Sequence, residues 1–322
     1  MTAINILRKA VAPATLWLGI ASVIAGSAAA YSHGNFMFLP ALACLIFCVC
    51  AQIFSNITHR YYDDKHRLGE NAADGMYYCE DLDKPVSYVL KEGMRVTGII
   101  AATAGLMILA FAGWWVLIIG VIIAIFVLIA NVGPCPLSRT AFYPLITFFM
   151  FGPVAVIGTC IVQSAASSQN MLSWWDLEPA VVMSVIIGLM AMNSHLIFGT
   201  FHHADNTQSS RTTFFDRYGK RGYLLCITIS TLIYGATGVF APLLLKLFDM
   251  PWIYIPIPVL SVVFSYYTVK LTLKPETCHK AWHYSLLNIM AYAILSFIVF
   301  CIIGYPEGYL DAAPYIFLLR EE

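Results

Sequence analysis

The sequence predicts an all-α polytopic membrane protein: nine helices in a single domain covering residues 1–322. Three observations carry that prediction. Of the 322 residues, 60% are hydrophobic and only 11% are charged, a balance typical of lipid-embedded chains. Apolar stretches of membrane length recur from one end of the chain to the other. Once nine spans are drawn, all of the 18 lysines and arginines except Lys246 and Arg320 fall on the side of the N-terminus. That asymmetry places the N-terminus in the cytoplasm and the C-terminus outside. The formal net charge is zero, so bulk electrostatics recruit no nucleic acid and no acidic partner.

The spans are expected at 12–32, 36–55, 96–112, 114–130, 144–163, 179–199, 223–245, 252–270 and 284–304. The first could pass for a cleaved leader, with its basic start and Ala-rich end, but its apolar run is a full span and is read as retained. The third is short and Gly-rich. The eighth contains Pro256 and Pro258, which a helix inside a bundle tolerates because neighbours re-satisfy the freed backbone groups. The nine cysteines are scattered, several of them in apolar runs, with no knuckle spacing and no disulfide framework, and are read as small apolar residues. The "PCP" around Cys135 has no redox partner in sequence. The Trp pairs at 114–115 and 174–175 fit interfacial anchors. The stretch 77–85, "YYCEDLDKP", is expected to be a solvated loop or a lid.

Two loops, about 56–95 and 200–222, carry most of the polar chemistry, and they follow the second and sixth spans. The first holds Asn56, His59, Arg60, Asp63, Asp64, Lys65, His66 and Arg67; the second holds His202, His203, Asp205, Asn206, Arg211 and Arg217. The spacing suggests a pseudo-repeat that brings both clusters to one cavity. A diphosphate on a long apolar tail needs such an arrangement. Carboxylates hold a divalent cation against phosphate oxygens, and Lys or Arg neutralises the remaining charge. An apolar chamber keeps water from the allylic cation left by ionisation. Ionisable groups at helix ends in a membrane mark functional sites, which favours function over simple solvation for Asp63 and Asp205. Asp64, Lys65 and Arg67 serve topology equally well, and adjacent histidines such as His202 and His203 are weak metal ligands. His195 and Asn193 could line the cavity or make interhelical hydrogen bonds.

The chain resembles the UbiA superfamily of intramembrane prenyltransferases, most of all its 1,4-dihydroxy-2-naphthoate branch, which makes menaquinone or phylloquinone precursors. The resemblance rests on "KAVAPATLWLGIASVIAGSAAA", "QIFSNITHRYYDDK", "GPCPLS" with "FFMFGPVAVIGT", and "FHHAD......RT". It departs from the family pattern NDxxDxxxD: His59 and Arg60 stand where Asn and Asp are expected, Asp63 is kept, and Arg67 takes the last acidic position. In the second loop, aligning Asp205 with the final aspartate brings Arg211 and Thr212 onto the family's Lys-Arg-Thr run and leaves Phe201 at the first aspartate. Ala12 and Ala14 replace first-helix arginines.

The resemblance implies a UbiA-type bundle around a central cavity, in a bacterial inner membrane, that transfers a polyprenyl group from its diphosphate to an aromatic acceptor with magnesium as cofactor. Asp63 and Asp205 are then the catalytic, metal-holding residues, with Asp64 and Asn206 as local additions. Asn56, Arg60, Lys65, Arg211, His202 and His203 would contact the diphosphate. Arg60 and Arg67 would replace a carboxylate and its metal by a guanidinium cation. Two other readings compete. The reduced acid count fits a noncatalytic isoprenoid-binding relative, and a small-solute transporter would also place charges near broken helices.

Overall fold

A computed structural model describes residues 2–68, 78–132, 136–167, 177–201, 214–245 and 251–303. Its helices are α1 (Ala3–Val11), α2 (Leu16–Ser32), α3 (Phe38–Leu68), α4 (Val86–Ala112), α5 (Val116–Asn131), α6 (Tyr143–Phe149), α7 (Gly158–Ser167), α8 (Glu178–Phe201), α9 (Phe214–Leu244), α10 (Pro251–Tyr254), α11 (Pro256–Thr272) and α12 (Cys278–Ile303). A π-helical stretch, Met150–Ile157, joins α6 to α7 into one span. Among the described residues, eight helices are long and apolar enough to cross a membrane, and α5 is a shorter apolar helix, close to the nine spans expected. The bundle's outer surface is apolar. Ile99, Leu106, Ile118, Leu232 and Val263 all lie exposed there, as a lipid solvent requires.

At the centre, α2 packs on α8 and α12. Leu18, Ala21, Ala25 and Ala28 of α2 join Met183, Ile186, Ile187 and Met190 of α8 and Ile289, Tyr292 and Ala293 of α12 in one buried cluster. α2 thus forms part of the bundle's core. Its small residues permit close backbone approach, the usual basis of helix association in lipid. The "FGPVAVIGT" segment works the same way. Pro153 lacks the N–H that an α-helical ladder would use, and the chain widens into the π turn around it. A Cβ on Gly152 would press into the Ser184 carbonyl oxygen and Gly188, and one on Gly26 would press into the Val156 carbonyl oxygen and sit 2.8 Å from Thr159 Cβ. Because both obstacles are backbone, they cannot rotate away. Gly26→Val is expected to lower stability by about 1–3 kcal/mol, read as an earlier thermal unfolding transition in detergent.

The second half of the bundle is held by polar pairs. Asn193 Nδ2 donates to Thr231 Oγ1 at 3.2 Å, and Ser230 donates to Asn193 Oδ1. Asn288 Nδ2 donates to the Ser261 carbonyl at 3.1 Å and to Ser265 Oγ at 3.0 Å. Tyr254 and Tyr292 share a hydroxyl hydrogen bond of 2.6 Å. Asn193 therefore joins helices and is absent from the lining of the large cavity.

The structure departs from expectation in five places. The stretch from Asn56 onward does not begin a loop, because α3 continues through Leu68. Span three starts at Val86, ten residues before its expected start, and is not short. Residues 78–85 form a small antiparallel hairpin, Tyr78–Cys79 (β1) with Lys84–Pro85 (β2). It is anchored by buried Cys79 and by the Ala3 N–H donating to Asp81 Oδ2, so the expected loop is only its exposed tip. The amphipathic α1 was not anticipated: Ile6 and Ala10 pack under Ile57, Val89 and Leu90, while Arg8 and Lys9 stay exposed. Ala12, at φ 47°, breaks α1 from the span that follows. Part of the second expected loop is also helical, since α9 starts at Phe214 and kinks at Gly219, where φ is 65°.

Candidate active site

One cavity of about 760 Å³ lies between α2, α3, α4, α5, the α6–α7 span and α8. The face that α3 turns toward it reads Cys44, Phe47, Cys48, Ala51, Gln52, Ser55, Asn56, His59, Arg60. These positions alternate steps of three and one, a single helical stripe. At 1.5 Å per residue the stripe is roughly 24 Å long, most of a bilayer core. It is apolar at Cys44 and Phe47 and turns polar at Gln52. Helical register carries position 63 onto the same stripe, one turn beyond Arg60.

The polar end is braced by the break between α1 and α2. Asn56 Nδ2 donates to the Val11 carbonyl and to Thr15 Oγ1, both at 2.9 Å, and Gln52 Nε2 donates to the Thr15 carbonyl at 2.7 Å. Both amides thus spend their N–H groups on fixing the break between α1 and α2. Gln52 Oε1 and Asn131 Oδ1 are buried acceptors without a partner, on two residues that line the cavity. Asn131 is fixed by donating to Ser55 Oγ at 3.0 Å, which ties the end of α5 to α3. Gly19 leaves the space for Gln52, since a Cβ there would stand 2.8 Å from Oε1. Orphaned acceptors of this kind suit a cation or a hydrogen-bond donor.

From the opposite side, α8 contributes Ser194, His195 and Phe198 and ends at Phe201, immediately before the second polar stretch. His195 interacts electrostatically with His59, so α3 and α8 meet at the same end of the chamber. Lys9 of α1 lines it as well. Sequence reasoning missed that lysine because it was counted only toward topology; the αL break at Ala12, invisible in the letters, brings α1 back to the cavity mouth. The other end is aliphatic, and it reaches the lipid face. Leu106 and Leu117 line the cavity and are yet 64% and 54% exposed.

Of the residues predicted from sequence, Asn56, Arg60 and His195 are at the cavity. Asp63, Asp64 and Lys65 lie on the continuous helix α3. His202, His203, Asp205, Asn206 and Arg211 lie outside the described residues, as does Cys135. Among the described residues, no three His, Cys, Asp or Glu side chains group as a metal site. At the polar end the described lining residues include neutral amides and the cations Lys9 and Arg60.

No family model matches the chain. A 1,4-dihydroxy-2-naphthoate octaprenyltransferase of Bacillus subtilis (strain 168) is 24% identical over 194 residues, 60% of this chain and 60% of that protein's length. Among solved structures, a digeranylgeranylglyceryl phosphate synthase superposes with TM-score 0.59 at 17% identity, covering 94% of this chain and 99% of that one. A UbiA homolog from Aeropyrum pernix K1 gives TM-score 0.60 at 13% identity, with 90% and 98% covered. A UbiA homolog from Archaeoglobus fulgidus bound to DMAPP and Mg2+ gives 0.55 at 12% identity, with 93% and 100% covered.

Proposed function

Starting from a chain that has the UbiA fold, we propose that it transfers a polyprenyl group from an allylic diphosphate to an aromatic acceptor, 1,4-dihydroxy-2-naphthoate in menaquinone formation. One observation carries the reading: the polar ends of α3 and α8 share a cavity whose remaining length is aliphatic and reaches the lipid face. A charged head and a long apolar tail on one molecule fit those two ends together. The relative from Bacillus subtilis, named for naphthoate prenylation, supports the acceptor class.

In this reading the tail lies along the α3 stripe between α4 and α5. Arg60, Lys65 and Arg211 neutralise the diphosphate, with His202 and His203 as hydrogen-bond donors, and Asn56 holds the α1–α2 break against the head end. Asp63 and Asp205, with Asp64 and Asn206, would hold magnesium. When bound, that ion supplies positive charge to the departing diphosphate. The apolar walls exclude water from the allylic cation, so the aromatic carbon and not hydroxide captures it. No covalent attachment to the protein is required. The chain works in a bacterial inner membrane with the head end cytoplasmic, where soluble diphosphates and lysine-rich loops both lie.

The test is mass spectrometry of products after incubating the purified chain with prenyl diphosphates of several lengths and with naphthoate and benzoate acceptors. A prenylated aromatic is the expected result. Bound isoprenoid without product would instead favour a noncatalytic carrier, and solute flux in liposomes would favour a transporter.

A further inference from the structure

The α4 and α5 walls are aliphatic except for Phe126 and Asn131, as an isoprenoid tail allows, but the opposite wall is built of rings. Tyr143 opens α6, His195 and Phe198 lie one turn apart on α8, and Trp282 sits on α12; all four face the cavity. Tyr143 meets His195 edge to face with ring centroids 4.6 Å apart. Phe198 is 6.0 Å from His195 and 5.0 Å from Trp282. The wall is held as a unit, because Ser194 beside His195 donates to Ser285 of α12 at 2.8 Å. Offset and edge-on rings at these distances make a rigid surface on which another ring can stack. The flat ring faces suit a planar aromatic partner, which gains stacking there beyond simple burial. No hydrogen bond among the described residues occupies the His195 ring nitrogens. Position completes the case: His195 lines the same cavity as His59 and Arg60 of α3, so a ring stacked on the wall lies beside the head end and near the carbon that the diphosphate leaves.

We infer that Tyr143, Phe198 and Trp282 form the acceptor subsite for a hydroxylated aromatic carboxylate and that His195 is the base for its ring hydroxyl. The inference rests on the prenyl-transfer reading above. The step balances as follows. The hydroxyl proton passes to the free imidazole nitrogen and raises electron density on the ring. The ring carbon bearing the carboxylate then forms a bond to the allylic carbon as the carbon–oxygen bond to diphosphate breaks, and that electron pair leaves with the diphosphate. Loss of carbon dioxide from the same carbon restores aromaticity, and the imidazolium returns its proton to the ring oxygen. The histidine ends unchanged. The titratable groups around it are His59 from α3 and Tyr143 from α6, with Arg60 and Lys9 at the same end of the cavity; α12 presents Trp282, which does not titrate.

The experiment pairs binding with turnover in the full-length chain in detergent. Binding of 1-hydroxy-2-naphthoate, a non-oxidising acceptor analogue, is followed by calorimetry in the parent, Trp282→Leu, Phe198→Leu and His195→Gln. Trp282→Leu and Phe198→Leu are expected to weaken analogue binding at least tenfold and to raise the acceptor KM, with the prenyl diphosphate KM unchanged. His195→Gln is expected to bind the analogue within threefold of the parent and to lose about 10²-fold in kcat, recovering as pH rises and the acceptor ionises unaided. Parent-like kcat in His195→Gln, or unaltered analogue binding in both wall variants, overturns the inference. A parent that binds the analogue through Trp282 and Phe198 yet makes no product retains the subsite and overturns the transferase reading instead.

Discussion

Asp63→Asn is expected to reduce prenyl transfer by at least about 10²-fold while the protein keeps its detergent-solubilised helicity and thermal transition. The argument starts from α3. Its cavity stripe runs from Cys44 to Arg60 in alternating steps of three and one, and the helix does not stop there but continues to Leu68. Position 63 is therefore the next step on that stripe, at the end where Asn56, His59 and Arg60 already gather. Asn keeps the size and loses the charge, so a drop isolates the carboxylate's electrostatic role. A fall of 10²-fold corresponds to about 2.7 kcal/mol of lost transition-state stabilisation. The surrounding charge makes Asp63 informative, because Arg60 occupies a position where the family pattern has aspartate. If guanidinium has taken over part of the cation's work, Arg60→Ala raises the diphosphate KM and chelator removes only part of the activity. Activity abolished by chelator yet untouched by Arg60→Ala would contradict that division of labour. Near-normal product from Asp63→Asn would remove Asp63 from the site.

Much of the bundle was legible because lipid imposes a simple rule: each crossing needs an uninterrupted apolar run, and such runs can be counted. Helix ends obey no such rule. The α3 extension from Asn56 to Leu68 is polar and charged, so hydropathy ended the span at 55 while backbone hydrogen bonding continued the helix. The same blindness hid α1. Its nine residues bury only Ile6 and Ala10, too small an apolar face to register as a span, yet they brace the cavity through the break at Ala12. Among the candidate residues, Asn56 and Arg60, which line the cavity, were conspicuous as polar side chains directly after a span. Gln52 and Asn131 were missed because single amides inside apolar runs look like tolerated exceptions. Their role needs the third dimension, where α5 brings Asn131 to Ser55. Asn193 took the second of its two expected roles, the interhelical one, engaged with Ser230 and Thr231.

For the proposed transferase, Gly120→Phe is expected to shift turnover from long prenyl diphosphates to short ones. Gly120 lines the cavity from α5, and a Cβ placed there meets nothing within 4 Å, so a larger side chain enters open space instead of displacing a neighbour. It lies eleven residues before Asn131, hence roughly 16 Å from the polar end at 1.5 Å per residue. A dimethylallyl group held at the head end stops well short of that depth, and an octaprenyl tail must pass it on the way to the opening beside Leu106 and Leu117. The benzyl group would therefore leave turnover of dimethylallyl diphosphate within about threefold and depress that of octaprenyl diphosphate by about 10²-fold or more, a cost of about 2.7 kcal/mol. Ile118→Phe is the matched control. Ile118 is on the same helix but 54% exposed on the lipid face and absent from the cavity lining, so it should leave both substrates alone. Competition between the two diphosphates in one reaction, with products separated by mass, reads the ratio directly and cancels differences in enzyme amount. Equal loss on both substrates would mean the phenyl ring disturbs the head end. An unchanged ratio would mean the tail leaves by another route and that the aliphatic half of the cavity is not its lane.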